Sequence, residues 1–381
     1  MMTGVKLKGM TWNHPRGIDP LTACSDAWHR LTGTEIHWDK RSLQDFESYP
    51  VEELARQYDL IIIDHPHVGQ VVQEHCLLPL DEAHREETLR TISSRSVGQS
   101  FASYTYQNRQ WALPVDTASQ VQAYVPSRLP EPCHSFDAIL ELARAGRIAL
   151  PLRPPHSLMC LYTLAAHFGA PCRIDSSSFL DRQVGQKAWQ ILRTLYKGVD
   201  ERYLMMDPIA VFEEMAFPNS KIACVPFIYG YMNYAVEGFR PERIAFADIP
   251  VLDGRDPSGS ALGGTGIAVS AKSAFPKQTM DFAYWVASGA VQKGLYASSN
   301  GQPAHADAWE DQAVNLPTHD FYRATRKTLE GAWVRPHYDG YMAFQNSASV
   351  LINECLRLDL GSTWLMDGVN EMFAASYTNA K

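Results

Sequence analysis

Two short loops concentrate the residue types able to do chemistry. Asp64-His65-Pro66-His67 closes the apolar run 60–63, and His14-Pro15-Arg16-Gly17 follows the run Val5–Trp12. Imidazole and carboxylate together suit zinc or iron, so His65 and His67 completed by His14 or Asp64 form one candidate set. An HxH pair separated by proline, with no third ligand at tight spacing, reads better as a hydrogen-bonding loop in which one histidine meets a ligand. No metal is therefore assigned. Arg16 has the fork that grips a carboxylate through two parallel bonds, or it is a surface arginine after Pro15. Trp12 offers a face for stacking, or it caps a core.

Further along the chain, Asp116 lies just past Pro114 and can accept from a hydroxyl or an ammonium, or cap a turn. Tyr229 and Tyr231 share one loop with Tyr234, with no two adjacent; stacking on an organic ligand competes there with ordinary packing. Gly264, beside Gly263, can bring backbone N–H groups against an anion, or simply take unusual dihedrals. Arg335 sits with Trp333 and Tyr338 in a proline-containing loop.

Catalytic motifs are missing from the sequence. There is no GxSxG, GxxxxGK[ST] or HExxH, and Gly263-Gly-Thr-Gly266 precedes an apolar strand rather than following one, the wrong order for a dinucleotide loop. The enzymatic option left is a nucleophilic cysteine with a nearby histidine, Cys160 or Cys224, whose apolar neighbours suit inert buried thiols. No catalytic residue and no cofactor is assigned.

The elements that would carry these residues alternate. Strand 5–12, a helix from Asp19 to Leu31 with Pro20 in its first turn, strand 34–38, a helix 51–58 and the wholly apolar strand 59–64 give the β-α-β-α-β order of a doubly wound sheet. In such sheets ligands sit beyond the carboxyl ends of strands, where both histidine-bearing loops lie. A second α/β region follows, with helices at 136–145, 158–168, 186–196 and 209–216 and strands at 148–150 and 221–226. After Ile249-Pro250 the chain is Gly- and Ser-rich to Gly266, then a strand to Ser270 and a helix from Pro276.

A chain of 381 residues, with 45% hydrophobic and 20% charged residues, is an ordinary globular composition sized for two or three domains. Its net charge of -8 argues against a nucleic-acid surface. Seven scattered cysteines without a CxxC pair cannot complete a disulfide framework, which leans toward buried thiols. No apolar run reaches the length of a membrane span. The start, Met1–Lys8, lacks the apolar core of a signal peptide.

Four segments, in order, add a family likeness: Trp111-Ala-Leu-Pro114-Val-Asp116, Ile222-Ala-Cys-Val-Pro226, Leu262-Gly-Gly264-Thr-Gly266-Ile-Ala-Val-Ser270 and Asn300-Gly-Gln302-Pro303. With Leu77-Leu-Pro79-Leu80 before them, they resemble the extracellular solute-binding proteins of family 1. The order, more than any one motif, carries the resemblance, which spans nearly the whole chain. It implies an α/β, two-lobed periplasmic-binding-protein-like type II fold with a ligand cleft between lobes. It also implies an ABC-importer permease as partner and a periplasmic or extracellular location; a monomer is expected, and because the candidate loops combine aromatic faces with Arg and His donors, so is a small polar ligand, sugar-like or a small carboxylate. If the absent signal is native, the location is cytoplasmic and the protein a ligand sensor. The lobes are expected as 1–115 with 252–305, and 116–251 with 306–381. The histidine-rich loops depart from the Asp- and Trp-dominated sites usual for sugar receptors in the family.

Overall fold

The computed structural model describes residues 4–82, 84–172, 178–252 and 259–378. The chain divides into two compact units. The first comprises Met1–Thr117, Gly263–Asn315 and His337–Asp339; the second comprises Ala118–Leu262, Leu316–Pro336 and Gly340–Lys381. The units change over at 117/118, 262/263 and 315/316, where the sequence suggested 115/116, 251/252 and 305/306. The short return 337–339 was not foreseen.

In the first unit, β1 (Lys6–Trp12) pairs in parallel with both β2 (Glu35–Arg41) and β3 (Leu60–Ile63). The return strand Leu262–Ser270 then runs antiparallel to β3 and to the short β4 (Leu77–Leu78). Burial on two faces explains the apolar run of β3. Leu60 and Ile62 enter one cluster with Trp38, Ile267, Val269 and Phe282, while Ile61 and Ile63 enter another with Met10, Val51, Val68 and Ala268. A strand covered on both sides has no polar face to show, so its sequence does not alternate.

Helix α1 (Pro15–Thr32) starts four residues before the expected Asp19. His14 is its N-cap: the imidazole Nδ1 accepts from Arg16 N–H at 3.1 Å. Pro15 occupies the first turn, where a missing N–H costs nothing. Pro20 therefore falls inside the helix rather than in its first turn. At the far end Gly33, φ +78°, donates to His29 O.

The long strand β5 (Leu113–Tyr124) begins in the first unit and ends in the second. In the second unit it pairs antiparallel with β6 (Cys224–Tyr229) and β7 (Ala245–Ala247). The strand expected at 148–150 is reduced to one parallel bridge from Ile148 to Cys224. Around it lie α2 (His156–His167), α3 (Arg182–Tyr196), α4 (Tyr341–Arg357) and α5 (Ser362–Thr378). Their core is aromatic: Phe179 meets Tyr162, Phe344 and Phe373 with ring centroids 5.6, 4.8 and 4.4 Å apart. Part of the Gly- and Ser-rich stretch, residues 253–258, lies outside the described residues.

Candidate functional site

The candidates of the first unit centre on one ion pair. Arg16, in the first turn of α1, donates from Nε to Asp116 Oδ2 at 2.7 Å and from Nη2 to Oδ1 at 2.5 Å. Both side chains are buried, 4% and 0% exposed. Burial pushes the Asp116 carboxyl up; the guanidinium opposes that push, and the nearby Asp64 carboxylate adds to it. The arginine fork expected to grip a ligand carboxylate thus already holds a carboxylate of its own unit. Asp116, expected to accept from a ligand, spends both oxygens on the guanidinium.

Asp64 and the two histidines form a compact turn. Asp64 caps a 3-10 turn, His65–His67, by accepting from His65 N–H at 2.9 Å. His65 and His67 are buried, and His65 Nδ1 stands 3.2 Å from Asp64 Oδ1. Edge-on to His65 lies Tyr104, with ring centroids 6.3 Å apart. Its hydroxyl donates toward Ile63 O at 3.3 Å and Gly264 O at 3.4 Å. Gly264 has φ +104°, a conformation that disfavours any residue with a Cβ. Arg16, Asp64, His65, Asp116 and Gly264 are therefore gathered through direct contacts, repulsion between carboxylates and Tyr104. His14 is placed instead as a helix cap. Among the described residues, no group of three or more His, Cys, Asp and Glu side chains is arranged to hold a metal ion.

Trp12 is no open stacking platform. It is 3% exposed and packs on Phe46 at 5.3 Å between centroids and against Gly17, where an added Cβ would fall 2.5 Å from the indole. Burying an indole of about 150–250 Å² removes about 4–6 kcal/mol of apolar hydration, which explains why the ring turned inward.

In the second unit, half-buried Tyr229 and buried Arg335 converge on one carbonyl, Leu262 O, at 3.4 and 3.3 Å. Arg335 also donates to Gln345 Oε1 at 3.0 Å, and His156 lies edge-on to Tyr229 with centroids 6.1 Å apart. Tyr231 departs from its expected role. It is buried among Phe212 and Tyr234, at 5.9 and 6.5 Å, as part of the core.

Tyr104, His156 and two hydroxyls were not singled out from the sequence. Thr117 and Thr265, both in the first unit, bury Oγ1 atoms without a hydrogen-bond partner. A buried hydroxyl left unpaired costs free energy that a ligand can return. Threonine in a strand is ordinary, so only position could have marked them.

The two candidate thiols, Cys160 and Cys224, offer little nucleophilicity. Burial pushes Cys160 up to about 12 and Cys224 well above its ordinary value.

The chain belongs to the bacterial extracellular solute-binding proteins, whose family model matches residues 52–319. Its fold is the two-lobed periplasmic binding protein fold. It is similar, at 15% identity, to an ABC transporter solute-binding protein from Agrobacterium radiobacter K84 in complex with ribitol. That likeness has a TM-score of 0.82 and covers 98% of this chain and 99% of that one. Maltose-bound MalE3 of T. maritima matches at 13% identity and TM-score 0.81, covering 97% and 99%. A solute-binding protein from Thermotoga lettingae TMO bound with alpha-D-tagatose matches at 15% and 0.79, covering 97% and 100%. No curated protein matches the chain. The family is one of binding proteins, and its name places it outside the cytoplasm.

Proposed function

We propose that this receptor delivers a polyhydroxylated solute, a polyol or sugar-like compound, to the membrane permease of an ABC importer. The family match over residues 52–319 carries the receptor reading. The solute class is supported by the ribitol, maltose and tagatose held by proteins of like fold, and by the buried hydroxyls of Thr117 and Thr265. A small carboxylate ranks second, because the Arg16 fork is engaged by Asp116. Binding works by closure: the solute shifts the chain toward the arrangement that holds it more tightly, by no more than its difference in affinity. The proposed ligand contacts on the first unit are Asp64, His65, Thr117, Gly264 and Thr265.

A cysteine enzyme is disfavoured, since Cys160 and Cys224 are held as neutral thiols. The extracellular assignment follows the family, and a monomer of 42.7 kDa is part of the same proposal. The test is a melting screen with ribitol, maltose, tagatose, succinate and zinc. A true ligand at a hundred times its Kd stabilises by about 2.7 kcal/mol, a readable rise. If zinc raises the melting temperature while no polyol, sugar or acid does, the solute assignment is wrong.

A further inference from the structure

The second unit carries a charged cavity that the solute reading leaves unused. It holds about 510 Å³ and is formed by three stretches of chain: the end of the helix Phe136–Arg144 with the turn after it, residues 197–203, and residues 221–222 just before β6. It lies far along β5 from Ala118, where that strand enters the unit. Cys224, the first residue of β6, pairs with Tyr124, six residues or about 20 Å further on.

Backbone contacts hold the walls together. The Arg147 carbonyl accepts from Ala223 N–H at 2.8 Å and from Cys224 N–H at 3.3 Å, which ties the first stretch to the third. Gly198 packs so closely on the helix end that an added Cβ would fall 2.7 Å from Ala143 O. Gly146 takes φ +63°, and Lys221 Nζ stands 3.5 Å from the place a Cβ would occupy there.

Charge singles the cavity out. The chain has a net charge of -8, yet four cations, Arg144, Lys197, Arg202 and Lys221, line this space against one carboxylate, Asp200. Asp200 is engaged by the backbone: it caps the 3-10 turn Glu201–Met205 by accepting from Arg202 N–H at 2.9 Å. Arg202 is paired with Glu214, and Lys197 with Asp359 at 3.5 Å. Arg144 and Lys221 have no carboxylate partner among the described residues.

We propose that this cavity binds a phosphate monoester, with Arg144 and Lys221 as the two counter-charges of its dianion. A guanidinium presents a fork to two phosphate oxygens and an ammonium adds a compact point charge, a pairing suited to a group that carries two negative charges. The volume falls within the roughly 300–1,000 Å³ of small-molecule sites, so the cavity has room for the organic part of the ester. That ester is either a soluble metabolite or the headgroup of a phosphatidic-acid-like lipid.

The test uses the full chain in low-salt buffer with phenyl phosphate, a monoester without the hydroxyls of a polyol. Its phosphorus NMR line should broaden on adding protein. The dissociation constant from titration should rise about two- to fivefold in Arg144→Ala and in Lys221→Ala, each first checked for an unchanged melting temperature. Lys40→Ala removes the same charge from an exposed lysine of the first unit and should leave binding unchanged. Flotation with phosphatidic-acid vesicles against phosphatidylcholine vesicles separates the two sources. Flotation that both cavity variants weaken supports the lipid headgroup, and line broadening without flotation supports the soluble ester. Neither broadening nor flotation, binding untouched by both cavity variants, or an equal loss in Lys40→Ala would overturn the proposal. None of these readouts uses the imported solute, so their failure would leave the receptor reading standing.

Discussion

Asp116→Ala tests the ion pair at the centre of the first unit. The substitution removes both hydrogen bonds, at 2.7 and 2.5 Å, and leaves a guanidinium buried to 4% exposure with no counter-charge from Asp116. Breaking a buried pair from one side costs about 3–5 kcal/mol, because the surviving charge stays out of water. For a cooperative unit of some 150–250 residues, each kcal/mol lowers the melting temperature by about 2–4 °C, so a fall of about 6–20 °C is expected. Calorimetry on Asp116→Ala, Arg16→Met and the double variant completes a cycle. The double variant also removes the buried guanidinium, so it should melt above Asp116→Ala. A single variant within about 1 kcal/mol of the parent, or a double variant no better than either single, would refute the account of Arg16 and Asp116 as one buried unit.

Gly17→Ala should destabilise the protein by about 1–3 kcal/mol in urea titration, the range for overpacking, although alanine ordinarily favours a helix. Its Cβ would meet the Trp12 ring at 2.5 Å, and a neutral or stabilising result would mean the indole moves easily. His305 is buried, and burial lowers its pKa below the ordinary 6.5. The unfolded chain therefore binds the proton first. Stability is complete above that pH and falls as acid is added toward the folded value, and His305→Gln should flatten the slope of melting temperature against pH. Cys24, Cys76, Cys160 and Cys355, all pushed up to about 12, should resist iodoacetamide at neutral pH in the folded protein. Prompt labelling of Cys160 followed by mass spectrometry would reopen the enzyme reading.

Much of the frame was legible because its physics is local. The run at 60–63 reads as a strand since both its faces find cores, and Pro276 opens a helix where proline's missing N–H costs nothing. The start of α1 was misplaced because an imidazole does the capping that Ser, Thr, Asp or Asn usually does. The site was harder. Whether an aromatic faces solvent or core depends on partners far along the chain: Trp12 meets Phe46 and Tyr231 meets Phe212, contacts that periodicity does not encode. Arg16 and Asp116 were both singled out, yet nothing local showed that they would bind each other across a hundred residues. The ordering of the four motifs fared best, since it reflects the path of the chain as a whole.

That path bears on how the protein is made. The first unit's cores are filled partly by Ile267, Ala268, Val269 and Phe282, and β3 gains its antiparallel neighbour only from the strand at Leu262–Ser270. While the ribosome is still adding the residues before these, Leu60 to Ile63 lack both a flanking strand and part of their apolar cover. The N-terminal third of the polypeptide must therefore wait, exposed, until more than two thirds of the chain has been synthesised. A nascent chain released early would carry a sticky, unfinished sheet, a natural client for holding chaperones.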